Sequence, residues 1–289
     1  MDRSRRTPTF VVIGSMKSGT TTLHTWLEQQ PDVVMAPKEP NFFSRDEVWN
    51  RGVGWYEELF GSDDAIARGD VSPSYTNPAW AGPAAQRMRE VVPDARIVYL
   101  LRHPVERLRS HYLHQVRRAR ETRPLLDAIA EPNNPYVARS RYFACLQPFL
   151  RHFDSEQICV ERLADLVEGE QPGWTRVLDH IGLPHRAPPG THHYAGAEQP
   201  AHTRAFRWLS DRGHLHHVGR LPGPVRRVGR VLALRRGSGI PPRLEASATA
   251  ELPPAVLETL GTDVAALERW LGRSLQWALD HGSDTSGPV

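Results

Sequence analysis

Lysine is nearly missing from this chain. Of its 36 basic residues only two, Lys17 and Lys38, are lysines, and arginine supplies the rest. A biased base composition can produce such a preference with no cause in the protein, yet it makes the exceptions informative. Lysine is a compact point charge on a flexible stem, whereas arginine is a broad planar fork. A crowded site around a transferring group can require the former. Cysteine is scarce as well: Cys145 and Cys159 give neither a disulfide framework nor a metal-ligand spacing, and a reduced, cytoplasmic setting is expected. No apolar run reaches the roughly 18 residues of a membrane span. The apolar stretch behind the basic start, residues 1–8, is too short for a signal peptide. Internal repeats are absent. His192, His193, His214, His216 and His217 have no Cys, Asp or Glu at ligand spacing, so no metal is expected.

What is present suits a globular enzyme-sized chain. At 289 residues and 39% hydrophobic content the sequence can build a sizeable core. One domain over residues 1–289 is expected, with loose tails at 1–8 and 282–289 and an irregular basic stretch at 185–245. The net charge of +3 hides an asymmetry. Residues 201–245 carry ten arginines (Arg204, Arg207, Arg212, Arg220, Arg226, Arg227, Arg230, Arg235, Arg236 and Arg243) against Asp211 and Glu245. That stretch is a candidate surface for an anionic ligand or partner. No aromatics interleave regularly with its arginines, which argues against nucleic acid.

The segment Phe10-Val-Val-Ile-Gly-Ser-Met-Lys-Ser-Gly-Thr-Thr-Thr22 reads as a buried strand, a tight loop and a helix start. Phe10 to Ile13 suits a central parallel strand. Gly14 and Gly19 bracket a loop that must turn sharply and expose N–H groups. Leu23, Trp26 and Leu27 give the following helix an apolar face. Exposed N–H groups, a helix N-terminus and Lys17 together make a seat for a phosphate- or sulfate-like anion. In the Walker A pattern the lysine follows the second glycine; here it comes two residues before it. The plain reading of the segment is a strand–loop–helix turn with no ligand.

This loop resembles the 5′-phosphosulfate loop of the sulfotransferases that use 3′-phosphoadenosine 5′-phosphosulfate (PAPS), in the variant of the bacterial and heparan-sulfate branch. The resemblance implies that Lys17, Ser18, Gly19, Thr20, Thr21 and Thr22 hold the donor. A short strand over Val33–Ala36 then leads into Pro37-Lys-Glu-Pro-Asn-Phe-Phe43. Ligands in open α/β sheets sit beyond the carboxyl ends of strands, so Lys38 and Glu39 share a rim with Lys17. As an isolated dipeptide they are an ordinary exposed charged turn. The family carries Lys-Glu-x-x-Phe-Phe here, with the glutamate as general base, which implies that role for Glu39. Gly69-Asp-Val-Ser-Pro-Ser-Tyr75 resembles the family's Glu-Lys-Ser-Pro-x-Tyr segment but departs from it. Asp70 replaces the glutamate, and Val71 replaces a lysine that often faces substrate or sulfate.

Ile97 to Leu101 is a second buried strand, and Pro104 opens a helix. Arg102 leaves the strand's carboxyl end, with Ser110 roughly two helical turns on. A guanidinium and a hydroxyl so spaced can hold a phosphate. The resemblance makes Arg102 and Ser110 ligands of the 3′-phosphate. The helix over Ser140–Leu150 presents Tyr142 on an apolar face. Tyr142 reads as core before ligand, although the family has a tyrosine near the nucleotide here. Gln157–Val160 reads as a strand, Glu161–Leu166, Trp174–Pro184 and Pro253–Leu279 as helices, and Arg235-Arg-Gly-Ser-Gly239 as a rough counterpart of the family's late basic loop. The fold expected is α/β: a P-loop-NTPase-like three-layer arrangement with a mostly parallel sheet. The function expected is sulfuryl transfer from PAPS to a small-molecule, lipid or glycan acceptor. Glu39 would be the base, Lys17 and Lys38 the catalytic cations, and no metal is required. Two other readings stand beside it. One is a P-loop kinase using ATP, which the displaced lysine and the Arg102…Ser110 pair oppose. The other is a non-catalytic binder of anions through residues 201–245. Neither the acceptor nor the oligomeric state follows from the sequence.

Overall fold

The computed structural model describes residues 6–61, 65–190, 201–202, 234–235 and 240–279. Five strands, β1 (Phe10–Gly14), β2 (Val33–Met35), β3 (Ala67–Val71), β4 (Arg96–Leu101) and β5 (Ile158–Arg162), form one sheet in the order β2-β3-β1-β4-β5. Every neighbouring pair is parallel, with Val11 opposite Asp70 on one side and Ile97 on the other. All five residues of β1 and five of the six in β4 are buried, because a central parallel strand is covered on both faces.

The helices are α1 (Thr20–Glu28), α2 (Asp46–Trp49), α3 (Gly52–Glu58), α4 (Ala81–Val91), α5 (Pro104–Arg117), α6 (Leu125–Ala130), α7 (Pro135–Ala138), α8 (Tyr142–Leu150), α9 (Leu163–Val167), α10 (Pro172–His180), α11 (Pro242–Ser247) and α12 (Pro254–Leu271). Alternate side chains of the central strands enter opposite cores, as the two-residue strand period demands. Val11, Ile13, Ile97, Tyr99 and Leu101 pack with Met88 of α4, Phe149 of α8 and Leu267 of α12. Phe10, Val12, Val98 and Leu100 pack with Leu23 and Trp26 of α1 and with Trp174 and Val177 of α10. Helices therefore cover both faces, and the three-layer α/β arrangement read from the sequence is the one observed. Among the described residues no helix is long and apolar enough to cross a membrane.

Three boundaries differ from the sequence reading. Glu161 and Arg162 extend β5 because they pair with Leu100 and Leu101 of β4, so the helix expected from Glu161 starts at Leu163. The final helix stops at Leu271, where Gly272 adopts φ 65°, the usual left-handed termination. The irregular stretch expected to run through residue 245 gives way at Pro242 to α11, which has proline in its first turn. Ala201–His202 pairs antiparallel with Leu234–Arg235. The five histidines named above and most of the arginine-rich stretch lie outside the described residues, as do the tails 1–5 and 282–289.

The chain divides into two compact units. The first (residues 1–107, 138–193 and 254–289) carries the five-stranded sheet. The second (residues 108–137 and 194–253) contains most of α5, together with α6 and α11. In the second unit Ser247 accepts the Leu125 N–H at 3.2 Å and meets the Tyr112 hydroxyl at 3.0 Å, tying α11 to α6 and α5. Glu121 is its electrostatic anchor. Burial pushes the Glu121 carboxyl up, but the Arg123 guanidinium, the N–H groups of Thr122 and Arg123 and the Tyr136 hydroxyl outweigh that and hold it at about 2, against 4.5. Ionised Glu121 thus stabilises the fold at every pH above 4.5, and its contribution is lost as pH falls from there to about 2. Screening through the exposed side of Arg123 leaves about 2 kcal/mol. Urea unfolding of Glu121→Gln should show a deficit near that size at pH 7 that shrinks below pH 4.5. A deficit of the same size at pH 3 would contradict this account.

Candidate functional site

The chain leaves β1 at Gly14, turns through residues 15–18 and enters α1 at Thr20. Gly19, with φ 85°, precedes the helix, and a Cβ there would run into the Leu163 side chain. Only glycine suits both the conformation and the space. Lys17 has φ 73°, a left-handed conformation that costs a non-glycine residue on the order of 1 kcal/mol. The loop is braced from both sides. Ser15 N–H donates to the Leu100 carbonyl at 2.7 Å, and the Ser15 and Ser18 hydroxyls lie 2.5 Å apart. The N-cap residue of α1 is Gly19, which has no side chain to cap the helix, so the loop leads straight into a helix N-terminus, the kind of end at which an anion can be held. Thr20 is buried there, and Thr21 and Thr22 are half-buried.

The strand order puts this loop between two other exits. Neighbouring strands lie about 4.8 Å apart, so the end of β2 is about 10 Å from β1 on one side and the end of β4 about 5 Å on the other. Past β2, Ala36 N–H donates to the Gly69 carbonyl and Glu39 N–H to the Val71 carbonyl, which carries the β2–β3 ladder beyond the strand. Lys38 and Glu39 are exposed, and Glu39 and Asn41 take left-handed backbones (φ 56° and 55°). The segment is anchored beyond them. Phe42 and Phe43 are fully buried, and Phe42 stacks on Tyr56 with centroids 4.2 Å apart.

Underneath lies a polar network that the sequence did not disclose. Asn41 N–H donates to Ser72 Oγ at 3.0 Å, and Ser72 donates to Asp70 Oδ1 at 2.7 Å. The Tyr56 and Tyr75 hydroxyls donate to Oδ2 at 2.7 and 2.6 Å. Asp70 is fully buried; burial raises its carboxyl above the usual range, and the three hydroxyl donors pull the other way. So Asp70, standing where the resembled family has glutamate, braces the Glu39 segment through Ser72 and Asn41. Val71, at the position of the family's lysine, is a core residue packed with Val12 and Leu23 on the α1 side of the sheet.

On the other flank Arg102 follows β4, half-exposed, its Nε donating to Glu106 at 2.7 Å. Its carbonyl accepts the Tyr142 hydroxyl at 2.7 Å. Tyr142 is fully buried. Burial raises its pKa, and hydrogen bonds with Ser18, Ser15 and the Arg102 backbone act against the rise. It is a core side chain whose hydroxyl links the loop to the exit of β4. The loop of Lys17 to Thr22, the Lys38-Glu39 segment and Arg102 thus follow strands at one edge of one sheet, and the Tyr142 hydroxyl reaches that edge at the Arg102 carbonyl. Ser110 is half-buried on α5, in the second unit.

Two arginines in the first unit carry no signal in a chain so rich in them. Arg107 is fully buried, donating to Ser140 Oγ at 2.8 Å; burial lowers its pKa, against the pull of Tyr142 and Cys145. Arg139 lies against the loop at Met16. A separate groove of about 460 Å³ between α8 and α12 holds none of the residues read as site. Asp263 in its wall accepts the Phe143 and Ala144 N–H groups and so caps α8. Among the described residues no three His, Cys, Asp or Glu side chains gather as metal ligands.

Fold and edge together define an α/β protein with a glycine-bounded loop between its central strand and the first helix. Residues 69–187 match the model of the family described as Sulfotransferase family. Over 155 residues the chain is 32% identical to the bifunctional heparan sulfate N-deacetylase/N-sulfotransferase 3 of Mus musculus, covering 50% of this chain and 17% of that protein. Over 191 residues it is 27% identical to heparan sulfate glucosamine 3-O-sulfotransferase 3B1 of Mus musculus, covering 62% of this chain and 47% of that one. The chain thus spans less than half the length of these relatives. Among solved structures, the sulfotransferase from Alicyclobacillus acidocaldarius superposes with a TM-score of 0.62 at 25% identity, over 93% of this chain and 97% of that one. The chain therefore resembles the sulfotransferases, in sequence over the matched segment and in fold along most of its length. Asp70, Arg102, Ser110 and Tyr142 fall inside the family-model match; the Lys17 loop and Lys38-Glu39 precede it.

Proposed function

We propose that the protein moves the sulfuryl group of PAPS to a hydroxyl or amine of a small-molecule, lipid or glycan acceptor. The observation that carries this reading is the glycine-bounded loop holding Lys17 before a helix start whose N-cap is Gly19, with Glu39 on one flank and Arg102 on the other. The donor's phosphosulfate lies in the loop. Glu39 takes the acceptor proton as general base. The acceptor oxygen or nitrogen attacks sulfur in line, the bond from sulfur to the bridging phosphate oxygen breaks, and adenosine 3′,5′-bisphosphate leaves with the electron pair. Negative charge on the sulfuryl and bridging oxygens is offset by Lys17, Lys38 and the loop N–H groups. Arg102 takes the 3′-phosphate. Its present partner Glu106 is half-exposed, and a pair of that kind is worth at most about 1 kcal/mol, so exchange for a phosphate is cheap.

Calorimetry with adenosine 3′,5′-bisphosphate and with ADP plus Mg²⁺ tests the nucleotide class. The bisphosphate is expected to bind at least roughly tenfold tighter, a gap of about 1.4 kcal/mol. ADP binding as tight or tighter would favour a P-loop kinase and overturn the reading.

A further inference from the structure

Past the end of α12, residues 274–279 form neither helix nor strand. Backbone of that kind ordinarily lies loosely over a surface. Here it is fastened to the carboxyl ends of β5 and β4. Arg273 Nη donates to the Val160 carbonyl of β5 at 2.7 Å, and Arg162, the last residue of β5, donates to the Leu275 carbonyl at 2.9 Å. Leu275 is fully buried in the core that holds Ile97, Tyr99 and Leu101 of β4. Beyond it the segment reaches the exit of β4. His103 Nε2 donates to the Ala278 carbonyl at 3.1 Å. The Trp277 ring lies 6.1 Å from the His103 ring, edge-on, and 6.0 Å from the Tyr142 ring.

Those two neighbours of Trp277 bracket Arg102. Arg102 and His103 alone join β4 to α5. The Tyr142 hydroxyl holds the Arg102 carbonyl. His103 is the next residue, and its carbonyl accepts the Arg107 N–H at 2.9 Å. The backbone on the carboxyl side of Arg102 is thus fixed by two side chains that share one tryptophan, brought in from far along the chain. The Arg102 side chain itself is half-exposed, so its direction is set by the backbone that carries it. A guanidinium grips a phosphate best when its fork is aimed beforehand.

We propose that Trp277 is a positioning residue for Arg102. Through His103 and Tyr142 it fixes the direction in which Arg102 meets the 3′-phosphate. It thereby sets the preference of the protein for a 3′-phosphorylated nucleotide over one with a free 3′-hydroxyl. The inference rests on the assignment of Arg102 to the 3′-phosphate under the proposed function. Because Trp277 acts through Arg102, its removal costs nothing that Arg102 does not carry.

The test is calorimetry on the full-length protein with adenosine 3′,5′-bisphosphate and with adenosine 5′-monophosphate, which lacks only the 3′-phosphate. Wild type is expected to prefer the bisphosphate, and Arg102→Ala to lose most of that preference. Trp277→Leu keeps apolar bulk at the site. It should bind the bisphosphate roughly fivefold more weakly, a coupling of the size usual between residues in contact, with its affinity for the monophosphate unchanged. In the Arg102→Ala background, Trp277→Leu should bring no further loss. A tryptophan that only supports the fold would weaken both nucleotides alike. Equal losses, an unchanged bisphosphate affinity, or a loss that persists in Arg102→Ala would therefore each overturn the proposal. Thermal unfolding checks the variant. Should Trp277→Leu fold poorly, His103→Phe, which keeps a ring and removes the donor to Ala278, decides by the same comparison. A wild type without preference for the bisphosphate, or with a preference that survives Arg102→Ala, would take Arg102 off the 3′-phosphate and overturn the nucleotide assignment together with this inference. The two failures are distinct, because in the first the preference exists and depends on Arg102.

Discussion

Replacing Lys17 by alanine is expected to lower sulfuryl transfer from PAPS by roughly 10²–10³-fold, the usual cost of removing one preorganised donor from developing charge. The fold should survive. Lys17 sits on a loop rather than in either core, and its φ of 73° strains alanine no more than lysine. The nucleotide should still bind, because the N–H groups of the loop and of the first turn of α1 remain. Loss should therefore appear in kcat more than in affinity for the bisphosphate. Lys17→Arg sharpens the test. Elsewhere this chain uses arginine for 34 of its 36 cations, so nothing in its composition forbids arginine here. If the loop needs a compact ammonium, the wider fork of arginine should fail nearly as badly as alanine. Transfer of label from PAPS to an acceptor found by screening measures both variants. Rates within a few-fold of wild type for Lys17→Ala would remove Lys17 from the chemistry.

The sheet was legible because burial on both faces writes itself into composition. Phe10–Ile13 and Ile97–Leu101 are unbroken apolar runs, and unbroken runs of that length have few other uses. The rim could be read too, since strand ends in a parallel sheet share an edge and the loop, Lys38-Glu39 and Arg102 each follow a strand directly. Contacts made by residues distant in sequence stayed hidden. Tyr56 and Tyr75 reach Asp70 from 14 and five residues away, and nothing in either local pattern points to a buried carboxylate. Tyr142 has an apolar ring that fits the core period of α8, and that period conceals the hydroxyl work done at its tip. The β5–α9 boundary slipped because Glu161 and Arg162 favour a helix start locally, while pairing with Leu100 and Leu101 holds them in the strand.

Glu39→Gln is expected to remove roughly 10²–10⁴-fold of turnover, the range that a positioned general base supplies, with little change in bisphosphate affinity. The amide keeps the shape of the carboxylate and loses only its capacity to take a proton. The backbone that aims it stays in place: Glu39 N–H on the Val71 carbonyl and Asn41 N–H on Ser72 Oγ do not involve the exchanged side chain. This separates chemistry from architecture. Asp70→Asn, which disturbs the buried brace beneath the same segment, should also slow transfer, but by loosening the aim of Glu39, and it should weaken stability as well. Glu39 is exposed, so Glu39→Gln should leave the unfolding midpoint unchanged. A fall in rate with an unchanged midpoint marks the base, and a fall in both marks the brace. Turnover by Glu39→Gln within about tenfold of wild type, below the range cited for a general base, would transfer the proton-accepting role to another group along the rim.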